Sequence, residues 1–115
     1  MRLTRLLALG LSLVFGAALA HTQLSSSAPA DQATLTAAPD KLALAFSEDV
    51  RLTAVSLVDS AGASYALGAL PAKTQRTFVI AVPALPAGAY SVGWRAVGAD
   101  THVVSGEIHF SIAQH

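Results

Sequence analysis

In three separate stretches of this chain, apolar side chains recur at every second position, and no segment sustains a 3.6-residue period. Within 41–46, Leu42, Leu44 and Phe46 fall on one face. Within 89–97, Tyr90, Val92, Trp94 and Ala96 share a face, and Ser91, Gly93, Arg95 and Val97 take the other. Within 106–112, Ile108, Phe110 and Ile112 alternate with Glu107, His109 and Ser111. A strand puts successive side chains on opposite sides, so each stretch reads as a half-buried strand. Segment 52–58 repeats the pattern through Val55 and Leu57, and 77–82 is a short apolar run. Asp59-Ser60-Ala61-Gly62 marks a turn, with 63–67 as the returning hairpin strand. The run from Pro83 to Gly88 breaks the chain before 89. The Ser-rich 23–30 is expected as an edge strand. About seven short strands imply an all-β fold, an immunoglobulin-like antiparallel β-sandwich of Greek-key type. The expected core is Leu42, Leu44, Phe46, Val55, Leu57, Val79, Val92, Trp94, Ile108 and Phe110.

The first twenty residues have a different character. Arg2 and Arg5 precede an apolar run from Leu6 to Gly16, and Ala18-x-Ala20 follows. This is the layout of a secretory signal peptide. The run is shorter than the ~20 residues a spanning helix needs. Cleavage after Ala20 divides the chain into a signal, 1–20, and one domain, 21–115. The 95-residue product carries a formal charge of −2 and begins with His21. It is expected to be soluble and exported, and not membrane-embedded. The chain has no Cys, which excludes disulfides and thiolate metal sites, and its one Met is Met1. Seven basic residues balance seven acidic ones, so no basic face for nucleic acid is expected.

Processing gives His21 a free amine beside its imidazole, a chelating pair. Asp100 and His102, read as an extended i, i+2 pair, project to one side. Together these groups offer three nitrogens and one oxygen. Planar or tetragonal nitrogen and oxygen ligation suits Cu(II) or Ni(II), and Cu(II) heads the divalent affinity series. Taken singly, His21 is also explained as an accident of cleavage and His102 as a solvated turn histidine. His109 lies on the polar face of its strand and reads as a surface residue. His115 ends the chain. Glu48, just past a strand, is a solvated loop charge or a group that orients a ligand imidazole.

In combination, four segments of the mature chain resemble the CopC family of periplasmic copper-resistance proteins. They are His21 to Ala30, with His first and a Ser-rich run before Pro29; Leu42-Ala43-Leu44-Ala45-Phe46-Ser47-Glu48; Leu85 to Val97, with Gly88, Tyr90, Val92 and Trp94; and Asp100-Thr101-His102 ahead of Gly106. The resemblance implies a β-sandwich that binds one Cu(II) per chain through the His21 amine and imidazole, Asp100 and His102, with Glu48 near the site. It also implies hand-over to an inner-membrane copper transport protein of the CopD type. Two departures stand out. Some members carry a methionine-rich Cu(I) loop, whereas the mature chain has no Met, so Cu(II) alone is expected. Many members have Ser where this chain has Gly98, which alters the surroundings of Asp100.

On this reading the chain is a copper carrier or buffer and not an enzyme, with no catalytic residues. Two alternatives remain at this level. One is a copper-dependent oxidative enzyme resembling the polysaccharide monooxygenases that also chelate copper through an N-terminal His. The other is a metal-free structural or adhesive sandwich.

Overall fold

The computed structural model describes residues 22–114. They form seven strands: β1 (Leu24–Ala28), β2 (Ala33–Leu35), β3 (Lys41–Asp59), β4 (Ser64–Tyr65), β5 (Gln75–Ala81), β6 (Gly88–Gly98) and β7 (Val103–Ile112). His21, the proposed signal and His115 lie outside the described residues.

β3 organises the fold. In its first part, Lys41 to Ala45 pair antiparallel with β5 on one side and Ala43 to Phe46 with β1 on the other. Its second part, Val50 to Asp59, pairs with β6, and its end pairs with β4. One strand therefore crosses from one layer of the sandwich to the other within 46–50. β6 pairs in turn with β7. The core lies between the layers, where Phe46 meets Trp94 edge-to-face at 5.2 Å and Phe78 at 5.9 Å. Tyr90 stacks on Phe110, and its hydroxyl donates to the Pro86 carbonyl at 2.6 Å, tying the 83–87 break to the core.

The period-2 pattern predicts burial on β6 and β7 throughout. Tyr90, Val92, Trp94, Ala96, Ile108, Phe110 and Ile112 are all buried. On β3 the pattern changes phase. Leu52 and Leu57 are both buried although they stand five positions apart, which in a regular strand puts them on opposite faces. A bulge explains this: Leu52 pairs with Ala96 and Ala54 with Arg95, leaving Thr53 as the extra residue. The Thr53 hydroxyl donates to the Arg95 carbonyl at 3.1 Å. Val55 is only half-buried beyond this bulge.

Four expectations need correction. Val79 is not in the core; it is 56% exposed, while Phe78 and Ile80 are fully buried. A run apolar at consecutive positions carries no phase of its own, and pairing of Leu44 with Phe78 and Leu42 with Ile80 sets it. Segments 41–46 and 52–58 are one continuous strand. β2, unforeseen, pairs parallel with β7, so the sheet is mixed and not wholly antiparallel. Finally, 100–102 is not extended. β6 and β7 pair at Val97 and Val103, so the chain must reverse over the intervening residues.

Candidate metal centre

That reversal forms the centre of the candidate site. The Gly98 N–H donates to the His102 carbonyl at 3.0 Å, and the Thr101 N–H donates to the Gly98 carbonyl at 2.9 Å. Thr101 has φ 68°, a left-handed conformation that a β-branched residue takes only under constraint. It brings Asp100 and His102 together by a tighter route than extended backbone. Asp100 Oδ1 accepts the His102 backbone N–H at 3.1 Å, and Asp100 Oδ2 lies 2.8 Å from His102 Nδ1. The His102 backbone N–H first, and its imidazole second, hold the Asp100 carboxyl below its ordinary pKa.

The 2.8 Å separation has two chemical readings. Without metal it is a hydrogen bond from Nδ1–H to the carboxylate. It is also about the separation of two adjacent ligands that each stand about 2.0 Å from one metal ion at a right angle. Both atoms can therefore serve as neighbouring ligands once the proton between them is lost and the two groups turn toward one ion. The side chains are 83% and 60% exposed, so the pair opens to solvent.

Two donors do not make a tetragonal site. Among the described residues, no group of three or more His, Asp or Glu stands close enough to hold a metal ion. The fold does bring the start of the chain to this place. The Ser47 N–H donates to the Gln23 carbonyl at 2.8 Å, and the Gln23 N–H donates to Ser47 Oγ at 3.0 Å. Val50, three residues on, pairs with Gly98. Thr22, the neighbour of His21, has its hydroxyl oxygen 3.2 Å from the point where a Cβ on Gly98 would stand.

Glu48 sits half-buried on the β3 crossing, between Ser47 and Val50, and joins no metal-holding group among the described residues. His109 is elsewhere. It lies seven residues along β7, about 23 Å of strand from His102. Its Nε2 is 3.3 Å from Glu107 Oε1, and its backbone N–H donates to Asp31 Oδ1 at 2.8 Å. Thr22 and Gly98 are the site neighbours that sequence reasoning did not single out as a pair. Only the β1–β3 register and the β6–β7 turn bring them together.

Residues 24–113 match the CopC domain. This chain belongs to the CopC domain family. It is 38% identical over 108 residues to copper resistance protein C of Escherichia coli, covering 83% of each chain. It is 39% identical over 111 residues to copper resistance protein C of Pseudomonas syringae pv. tomato, covering 87% of this chain and 86% of that one. The crystal structure of CopC from Methylosinus trichosporium OB3b superposes with a TM-score of 0.72 at 26% identity, covering 83% of this chain and 96% of that one. PcoC, a methionine-rich copper resistance protein from Escherichia coli, gives 0.67 at 35% identity, covering 82% and 100%. The CopC neighbours share the β-sandwich that the alternation predicts. Unlike a methionine-rich relative, this CopC-family chain has no Met after Met1.

Proposed function

We propose that this chain is a copper-binding protein of copper resistance, exported to the periplasm and processed after Ala20. It binds one Cu(II) through the His21 amine and imidazole, the His102 imidazole and an Asp100 oxygen. The observation that carries this reading is the Asp100–His102 pair, spaced as adjacent ligands and set beside the arm that leads to His21. The names of its relatives, copper resistance protein C, supply the metal. Glu48 belongs to the surroundings of the ligands, where its carboxylate orients an imidazole.

Binding follows from these groups. Copper displaces the proton shared between His102 Nδ1 and Asp100, and it requires the terminal amine in its neutral form. Exposure of the pair lets an acceptor protein reach the ion directly, which suits a carrier or buffer that hands copper to an inner-membrane transporter of the CopD type. No helix among the described residues is long and apolar enough to cross a membrane.

The enzymatic alternative needs a broad aromatic face against which a polysaccharide lies. All six aromatic residues of the mature chain fall within the described residues. Phe46, Phe78, Tyr90, Trp94 and Phe110 are buried, and Tyr65 is half-buried with its hydroxyl donating to Asp59 Oδ2. No such face exists among the described residues, so the carrier reading is preferred. The metal-free alternative leaves the Asp100–His102 pair only the role of closing the turn between β6 and β7.

The test begins with mass spectrometry of the N-terminus of the exported protein, which should start at His21. Cu(II) titration should then give a visible d–d band that saturates at one equivalent. His102→Ala should weaken binding by about 100-fold or more, since loss of a direct donor should exceed the 10–100-fold typical of an outer partner. His109→Ala should leave it unchanged. Equal loss from both variants, or no saturable band, refutes the proposal.

A further inference from the structure

Gly98 is buried at the end of β6, and its φ is not among the positive values of the chain, so its backbone suits any residue. What the missing side chain provides is room. A Cβ there would stand 3.1 Å from Asp100 Oδ1, 3.2 Å from Thr22 Oγ1 and 3.9 Å from the His102 carbonyl oxygen. The first two distances are shorter than ordinary van der Waals contact. The backbone cannot yield easily, because Gly98 pairs with Val50 and exchanges hydrogen bonds with Thr101 and His102. Three oxygens from two distant parts of the chain therefore border one small space over Gly98. Two belong to the Asp100–His102 turn. The third, the Thr22 hydroxyl, belongs to the residue that follows His21.

We propose that Thr22 is a positioning residue for the copper site, its hydroxyl admitted by the bare backbone of Gly98 and seating the mature N-terminus against the Asp100 carboxylate. The inference rests on the reading of His21, Asp100 and His102 as ligands. Asp100 Oδ1 accepts one hydrogen bond from the His102 N–H and keeps a second lone pair for another donor. Thr22 O–H borders the same space over Gly98 and serves that lone pair through one bridging water. This bridge fixes the direction in which the chain leaves Thr22, and so where the His21 amine and imidazole meet the metal. The Gln23–Ser47 pair holds the arm one residue further on but leaves rotation about Thr22 unconstrained. A seated N-terminus is pre-organised, which reduces the ordering cost of binding.

The test compares processed chains starting at His21 by competitive Cu(II) titration and by electron paramagnetic resonance of the one-equivalent complex. Thr22→Val keeps the shape and removes the hydroxyl. It should bind about tenfold more weakly, at the low end for an outer partner of a metal ligand, with a shifted copper hyperfine pattern. Thr22→Ser should restore both affinity and spectrum. Gly98→Ala should weaken binding at least as much as Thr22→Val; the Thr22 variants, which lie off every strand, carry the test if Gly98→Ala unfolds the chain. In a chain with Met ahead of His21, where the amine is already lost and only the imidazole remains to be positioned, Thr22→Val should cause a smaller further loss. Native affinity and spectrum in Thr22→Val overturn the inference, as does an equal loss in the Met-extended chain. If the native chain itself takes up no Cu(II), both the copper reading and this inference fail; if it binds and Thr22→Val binds alike, only the inference fails.

Discussion

Gly106→Ala is expected to destabilise the fold, although alanine ordinarily outperforms glycine in a strand by about 0.5–1 kcal/mol. Gly106 stands opposite Trp94 in the β6–β7 ladder. A Cβ there would lie 2.8 Å from Trp94 Cζ2, 3.1 Å from Cε2 and 3.2 Å from Nε1. Carbon atoms settle at about 3.5–4.0 Å, so the rigid ring must retreat by most of an ångström. Behind it stands Phe46 at 5.2 Å, itself fully enclosed, so retreat means overpacking at about 1–3 kcal/mol. The indole N–H offers no relief, since it is buried without an acceptor among the described residues. Setting the strand preference against the clash leaves a net loss of about 1–2 kcal/mol. For a domain of this size that lowers Tm by about 5–15 °C. Trp94→Ala itself should cost about 3–5 kcal/mol. Trp94→Phe, which removes the Cζ2 edge at smaller cost, is the better background for a double-mutant cycle. There Gly106→Ala should become neutral or stabilising. Urea denaturation followed by far-UV circular dichroism reads all four proteins alike. A Gly106→Ala protein as stable as the native chain would refute this packing and the β6–β7 register beneath it.

Three further outcomes are expected. Phe78→Ala should cost about 3–5 kcal/mol and Val79→Thr less than about 0.5 kcal/mol; the reverse order in a denaturation series would restore the phase that the structure overturns on β5. The Asp59 carboxyl, which accepts N–H groups of Ala63 and Ala61 and the Tyr65 hydroxyl, is held below its ordinary pKa chiefly by Ala63. Its stabilisation is complete above about pH 4 and fades as pH falls towards the lowered folded value, so the native chain should lose stability more steeply there than Asp59→Asn. Lacking Cys, and Met after processing, the chain should bind Cu(I) far more weakly than Cu(II) because soft sulfur ligands favour Cu(I); comparable affinities in competition assays would contradict the ligand set.

Much of the sandwich is legible in the sequence because β6 and β7 alternate without interruption. Tyr90 to Ala96 and Ile108 to Ile112 could face the core in only one phase. β3 was harder to read, since a bulge at Thr53 shifts the pattern by one residue and the layer crossing at 46–50 has no turn signal. The phase of β5 is not legible because 78–80 is apolar throughout, and only pairing with β3 selects Phe78 and Ile80 for the interior. β2 leaves no signal in the sequence because three residues are too few to establish a period. At the site, Asp100-x-His102 was visible as a pair of donors, but not the left-handed Thr101 that joins them. Thr22 beside Gly98 was invisible, because that contact arises from register between segments distant in sequence.

The central proposal is that the mature N-terminus is itself a ligand. It is tested by titrating Cu(II) into two chains, one starting at His21 and one with Met ahead of it. A preceding residue turns the amine into an amide nitrogen, which must lose a far less acidic proton before it ligates. The extended chain should bind about 100-fold or more weakly, since loss of a direct donor should exceed the effect of an outer partner, while the metal-free melting of both proteins stays the same. Equal affinity in the two chains would remove the amine from the site and contradict the proposal.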